Sequence, residues 1–405
     1  MREKTIRVAV VTNSFNPKGG GVATAHHQLS ILLQRKYDLQ ILAYADTEQG
    51  TETHVVRRHT PRWIGGLLDT IGRAYVRRYN RRAQPTDVPA ILRSSWGAWL
   101  LNRSLRRINP HVLIVPDFDL PLYWLRPPDQ CKVIWFSHHN YLRFIGNPLL
   151  EPRDSADTDI ARSMERRALR KADAAVCPCD YMSREFRRAY GTDMPVFKIP
   201  NWFDAETANA IPRSSFREQK GWKIDLPVVY IPSAGSEFKG KRYVFEIVRR
   251  LSKVVDGGVG FFLSGSIPAD LKLELDTAGL MERVHAPGTL AWVENLACVK
   301  ACDFGISPTL VENFSMAILE AMAMGLPFAA FDTGGNREII TDQKSGWVVP
   351  YLDVDALVER ACGMALNEQN RRQMSGDAAL GISQMLAPCT VLNLYENLFC
   401  SLLNH

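Results

Sequence analysis

Pro308-Thr-Leu-Val-Glu312-Asn-Phe-Ser-Met-Ala-Ile-Leu-Glu320-Ala-Met-Ala-Met-Gly-Leu-Pro327 carries an almost wholly apolar run, Met316 to Met324, broken by one charge, Glu320. Ser315 is a helix-capping residue type, and Gly325 with Pro327 ends a helix, so the spacing predicts a helix starting at Met316. An ionised carboxylate on a buried helix is costly unless it is paired or hydrogen-bonded. Glu320 therefore needs a partner, either the hydroxyls of a ligand or a neighbouring basic side chain. The helix start, preceded by Asn313-Phe314-Ser315, offers free backbone N–H groups and a positive dipole end suited to a diphosphate. Glu312, just upstream, belongs to the same end of that site.

Outward from this segment, strand-like apolar runs alternate with helix-length segments in both halves, which predicts parallel α/β architecture. Strands are expected at Ile6–Thr12, Asp38–Ala43, Val112–Val115, Val133–Phe136 and Ala174–Cys177, then at Val228–Ile231, Gly260–Leu263, Val284–Pro287, Phe304–Ser307, Pro327–Phe331 and Trp347–Val349. A helix over Asp157–Lys171 would keep Ile160, Met164 and Ala168 on one face. The polar stretch from Asn201 to about Lys223 reads as a linker between two doubly wound domains. The expected division is residues 1–204, 205–385 and a final segment, 386–405, returning to the first domain.

The 405 residues carry a net charge of +6, unevenly placed. Residues 1–204 hold 31 Lys and Arg against 20 Asp and Glu, and the remainder 18 against 23. Between Arg57 and Arg107 stand 12 arginines against Asp69 and Asp87 only, interleaved with Trp63, Tyr75, Tyr79, Trp96 and Trp99. Such a stretch suits an anionic lipid surface, a nucleic acid or a phosphorylated substrate, or it is a set of solvated helix faces. Eight sparse cysteines with no paired C-x-x-C units fit a reduced, cytosolic compartment and predict neither a zinc site nor any other metal, and Cys177, Cys179, Cys298 and Cys302 read as buried structural thiols. The first apolar run is broken at Arg7 and reads as a strand, not a signal peptide. No stretch reaches the roughly 18 consecutive apolar residues of a membrane span.

Gly19-Gly20-Gly21 after the first strand permits close backbone approach. Thr24 stands where a dinucleotide fingerprint needs Gly or Ala, which favours a phosphate- or sugar-facing loop over NAD binding, with a plain tight turn as the alternative. Ser137-His138-His139-Asn140 follows another strand end, and Ser233-Ala-Gly-Ser-Glu-Phe-Lys239-Gly240-Lys241 a third.

Taken in order, Glu312 and Glu320, Gly325 to Pro327, Gly334-Gly335 and Glu338-Ile339 resemble the donor-site signature of glycosyltransferase family 4. Asn13 to Gln28, Ala172-Asp173 to Tyr190-Gly191 and Ile199-Pro-Asn201 are similar to the family's amino-terminal domain. The resemblance implies the GT-B fold, two Rossmann-like domains facing across a cleft, and a retaining, metal-independent transfer from a nucleoside-diphosphate sugar. It implies that Glu320 meets the ribose and Glu312 the sugar hydroxyls. Lys239 and the Asn313, Phe314, Ser315 and Met316 segment meet the diphosphate, with Gly19, Gly20 and Gly21 lining the donor. His139 is assigned to the transferred sugar, with His138 as the alternative.

The family's arginine before the Lys-Gly pair does not occur. Ser233 or its neighbours occupy its place; either Lys241 or Arg242 compensates, or the phosphate charge is met by Lys239 and backbone dipoles alone. Asn140 stands for the family's Asp, and Trp202 for a small residue. The acceptor implied is a saccharide, carried on a lipid at the cytoplasmic leaflet, in surface-polysaccharide or lipopolysaccharide assembly. The basic 57–107 region would be its membrane-facing surface, and no nucleic acid is involved. Two further readings stay open: a weakly active homologue serving as a partner of another transferase, and a sugar-nucleotide epimerase on the same fold.

Overall fold

A computed structural model describes residues 6–15, 21–48, 52–139, 149, 154–254 and 257–403. The chain forms two units, residues 1–202 with 388–405, and residues 203–387.

The first unit has a seven-stranded sheet built from β1 (Arg7–Thr12), β2 (Asp38–Ala43), β3 (Val55–Arg57), β4 (Val112–Pro116), β5 (Lys132–Phe136), β6 (Ala174–Cys177) and β7 (Val196–Lys198). Their order is β3-β2-β1-β4-β5-β6-β7, and every pairing is parallel. Val8 to Val11 and Val112 to Val115 are fully or almost fully buried. That is why these strands read as continuous apolar runs rather than alternating ones. The short edge strands β3 and β7 are absent from the sequence expectation, because their residues are half-exposed and carry no such run.

The second unit has a six-stranded parallel sheet of β8 (Val228–Ile231), β9 (Gly260–Leu263), β10 (Val284–His285), β11 (Phe304–Ser307), β12 (Phe328–Phe331) and β13 (Gly346–Val349). Their order is β10-β9-β8-β11-β12-β13. In both sheets the winding direction reverses once, between β1 and β4 and between β8 and β11. A sheet of this kind opens a crevice beyond the carboxyl ends of the two strands at its reversal. In the second unit those ends lead into Pro232–Lys241 and Pro308–Ser315, the two segments singled out from sequence.

The stretch read as a linker is instead ordered onto the second unit. It forms helices Ala205–Ala210 and Phe216–Gln219. Phe216 is buried and stacks on His285 with centroids 4.5 Å apart. Arg217 is buried, with an ion pair to Asp303 at 3.1 Å and further bonds to the carbonyls of Ala301 and Ile224. A polar composition hid this because the buried cation brings its own partners.

Helix Ser155–Leu169 also differs in its buried face, which is Asp157, Ala161, Glu165 and Ala168; Ile160 and Met164 stay half-buried. Asp157 accepts from the backbone N–H groups of Thr86, Asp87 and Val88 at 2.6, 2.7 and 2.9 Å. It thereby caps the helix Asp87–Ile108 from a distance, as a carboxylate does at a positive helix end. The run Glu368–Leu403 has the length and composition to cross a membrane. It is two helices, Glu368–Met385 and Pro388–Leu403, assigned to different units.

Candidate functional site

The loops after β8 and β11 are stitched together. Leu310 N and Val311 N both donate to the Phe238 carbonyl, at 2.9 and 3.2 Å. Gly240 makes the approach possible: its φ is +83°, and a Cβ there would sit 2.0 Å from the Pro308 carbonyl oxygen. Across this seam the Lys239 ammonium meets Glu312 Oε2 at 2.7 Å, while Glu312 Oε1 accepts from Asn313 N at 2.9 Å.

Gly334, at φ +59°, braces the same backbone from the other side, where a Cβ would lie 2.5 Å from the Glu312 carbonyl oxygen. Gly335 N donates to the Asn313 carbonyl at 2.7 Å. The Gly334-Gly335 pair therefore holds Glu312 and Asn313 in place.

Beyond Asn313, the buried Phe314, Ser315 and Met316 lead into helix Met316–Ala323, with Ser315 Oγ accepting from Ile318 N. Glu320 lies on this helix, 7 % exposed, and burial raises its carboxyl to about 7. No basic side chain among the described residues forms an ion pair with it. Among the described residues its hydrogen-bond partner is the Trp292 indole, whose Nε1 donates to Oε1 at 3.1 Å and opposes the upward shift. An indole N–H can only donate, so it favours the ionised carboxylate without supplying a charge. Trp292 begins the helix Trp292–Val299 and is set by Phe203, edge-on at 6.1 Å. Sequence reasoning missed Trp292, since nothing local joins it to a glutamate 28 positions away.

Trp292→Phe is expected to keep the fold and move the alkaline-rising limb of activity to higher pH, because Glu320 then ionises later. A pH profile of kcat/KM that superposes on that of the parent protein contradicts this.

Ser233 is exposed and takes a left-handed backbone, φ +49°, so no cation stands at that place. Lys241, one of the residues expected to compensate, is paired with two carboxylates. Its ammonium lies between Asp270 Oδ2 at 2.6 Å and Glu237 Oε1 at 3.1 Å, and Arg242 reaches the same Glu237 at 4.0 Å. Of the basic residues foreseen, Lys239 alone joins Glu312 at the loop seam.

In the first unit, Gly19, Gly20 and Asn140 lie outside the described residues, and Gly21 opens helix Gly21–Gln34. His138 is buried, with Nε2 3.0 Å from Asn201 Oδ1, and burial lowers it to about 4. That bond gives the Ile199-Pro-Asn201 signature a structural use; it opposes the shift, but burial outweighs it and leaves His138 neutral. Beside it His26, stacked at 6.0 Å, is lowered by burial to about 3.

His139 is half-buried, its ring edge-on to Phe118 at 5.9 Å. The wholly buried Asp117, which the sequence reading also missed, sets this segment by accepting from His138 N at 2.9 Å and His139 N at 2.6 Å. All eight cysteines are free thiols. Among the described residues no three His, Cys, Asp or Glu side chains converge as metal ligands do.

Residues 19–207 match the family model described as Glycosyltransferase Family 4, and residues 227–367 the model described as Glycosyl transferases group 1. The chain is 22% identical over 378 residues to the GDP-mannose-dependent alpha-(1-6)-phosphatidylinositol monomannoside mannosyltransferase of Mycobacterium tuberculosis, covering 89% of each chain. It is 25% identical over 241 residues to the D-inositol 3-phosphate glycosyltransferase of Xylanimonas cellulosilytica. That match spans 56% of this chain and 57% of the relative. Among solved structures, the sucrose-phosphate synthase of Thermosynechococcus elongatus has a TM-score of 0.73 at 15% identity, covering 98% of this chain and 100% of that one. Anabaena HepE in complex with UDP-glucose has a TM-score of 0.69 at 16% identity, covering 97% and 99%.

Proposed function

The chain belongs to glycosyltransferase family 4 and has the GT-B fold, and on that premise we propose that it moves a sugar from a nucleoside-diphosphate donor to an acceptor hydroxyl with retention of configuration and without a metal. The observation that carries the reading is the Lys239–Glu312 pair at the seam of the two loops, directly before the helix Met316–Ala323, on which the buried Glu320 lies about one turn in. When a donor binds, Lys239 exchanges the Glu312 carboxylate for the diphosphate, and Glu312 is released toward the sugar hydroxyls. The Phe314 to Met316 amides share the diphosphate charge, and Glu320 accepts the ribose hydroxyls. Departure of the diphosphate leaves an oxocarbenium-like centre, so fixed cations and helix-terminal N–H groups supply most of the rate. His139 is assigned to the transferred sugar.

The acceptor we propose is a saccharide on a lipid, in surface-polysaccharide or lipopolysaccharide assembly. The M. tuberculosis relative, named for a phosphatidylinositol monomannoside, supports that choice of class. The test is product analysis with UDP-, GDP- and ADP-sugars and a lipid-linked saccharide, in the presence of EDTA. The expected product is a glycoside whose anomeric configuration equals the donor's. An inverted product, or conversion of the donor sugar to its epimer with no acceptor required, overturns the reading. A folded protein that binds donor but never turns over favours the partner role, for which the missing cation at Ser233 is the supporting observation.

A further inference from the structure

Ile160 and Met164, which helical periodicity would bury, instead line an open groove of about 790 Å³ in the first unit. Its other wall comes from Ile71, Tyr75 and Tyr79, with Trp124 at one side. Helix Arg62–Arg77 carries an apolar residue at every fourth position, Trp63, Leu67, Ile71 and Tyr75, followed by Tyr79, and all five are 48 % exposed or more. Residues four apart share one helix face. An exposed apolar stripe thus runs along this helix and enters the groove at Ile71. A contiguous apolar surface of this kind marks an interaction site more often than a solvated one.

At the far side the groove shares Asp159, Ser163 and Arg167 with a second hollow, of about 360 Å³, which Arg162, Arg166 and Arg170 also line. Arg162 lies 3.8 Å from Asp159. Arg166, Arg167 and Arg170 make no ion pair or hydrogen bond among the described residues, so three guanidinium groups crowd one helix end, where the one carboxylate lining the hollow, Asp159, is nearest Arg162. The helix dipole favours cations there, but only by about 0.3–1 kcal/mol each. It explains why basic residues are tolerated, not why they border an apolar groove. Guanidinium forks match the oxygens of a phosphate, and the adjoining groove asks for hydrocarbon.

We propose that this groove binds a single-chain amphiphile with a phosphate head, the tail between Met164 and Tyr75 and the phosphate on Arg166, Arg167 and Arg170. The proposal deepens the transferase reading and rests on it for its meaning, since it names the acceptor lipid as a phosphate-bearing chain. A neutral amphiphile leaves the arginines unpaired, and a free phosphate leaves the groove unfilled.

The test is binding alone, without donor or turnover, so its failure is distinct from failure of the transferase reading. Dodecyl phosphate, kept below its micelle concentration, is titrated calorimetrically against the full chain, beside dodecyl maltoside and inorganic phosphate. One-to-one binding of dodecyl phosphate is expected, with each of the other two weaker by about tenfold or more, because each offers half of the interaction. The triple variant Arg166→Gln, Arg167→Gln, Arg170→Gln removes the head contact, and Met164→Trp fills the groove. Each is expected to weaken dodecyl phosphate by about tenfold while the thermal midpoint stays within a few degrees. Ser163→Trp replaces Met164→Trp should that variant not fold. Equal binding of the maltoside, equal binding of inorganic phosphate, or affinity for anionic vesicles that both variants leave unchanged overturns the proposal, the last by showing simple surface adsorption.

Discussion

Lys239→Met is expected to lower kcat by about 10²–10³, the usual cost of removing one preorganised charge-stabilising group from a developing oxyanion. The expectation follows from how little else can serve. Ser233 supplies no charge, and Lys241 is held between Asp270 and Glu237. The diphosphate would therefore depend on Lys239 and on backbone N–H groups at the helix start. Lys239→Arg keeps the charge in a different geometry and should recover part of the loss. Stability should fall as well, by about 1–3 kcal/mol, because Glu312 is only 9 % exposed and loses its counter-charge, keeping the Asn313 N–H; the kinetics are therefore read well below the melting midpoint. Steady-state kinetics with the cognate donor check this, together with a melting curve. A Lys239→Met protein within threefold of the parent would remove the cation from the mechanism.

Glu320→Gln is expected to stabilise the protein at alkaline pH while weakening nucleotide binding. Burial holds the Glu320 carboxyl near 7 in the folded state, above its ordinary value of 4.5. The native state therefore keeps a proton that the unfolded chain has released. The stability this gives is fully present below about pH 4.5 and is lost as pH rises through about 7. At pH 8 the buried carboxylate costs on the order of 3 kcal/mol relative to pH 4.5. Glutamine carries no titrating group, so the variant gains on the parent by about that amount between those pH values. In exchange it loses charge-assisted hydrogen bonds to the ribose, each worth about 1.5–3 kcal/mol. Urea unfolding at pH 5 and pH 8 reads the first effect, and a difference between variant and parent that does not change with pH contradicts it.

Strands with fully buried faces were legible in the sequence because burial on both sides leaves an unbroken apolar run. Val228–Ile231, Gly260–Leu263 and Phe304–Ser307 stand where that pattern placed them. The edge strands Val55–Arg57 and Val196–Lys198 were not, since half-exposed residues carry no such signature. Composition misled at Arg217, where polarity suggested a linker but the guanidinium is buried against Asp303.

At the site, the order of Glu312, Glu320, Gly334 and Gly335 was readable, and the glycines proved to brace the Glu312 backbone. Contacts between separate segments were not readable. The Trp292 indole on Glu320, Asp117 beneath His139 and the carboxylates around Lys241 arise from packing of distant elements. The face of helix Ser155–Leu169 was misread for a related reason: Asp157 and Glu165 are buried there, and Asp157 is satisfied by a backbone 69 to 71 positions away.

The most direct measurement is the thermal stabilisation of the protein by UDP, GDP, ADP, dTDP and CMP, compared with Glu320→Gln and Lys239→Met. A ligand at 100 times its dissociation constant adds about 2.7 kcal/mol of stability, well within reach of a melting experiment. One nucleoside diphosphate should raise the midpoint of the parent chain, and both variants should lose most of that rise. No shift with any nucleotide, or a shift that both variants keep in full, would contradict a donor site built on Lys239, Glu312 and Glu320.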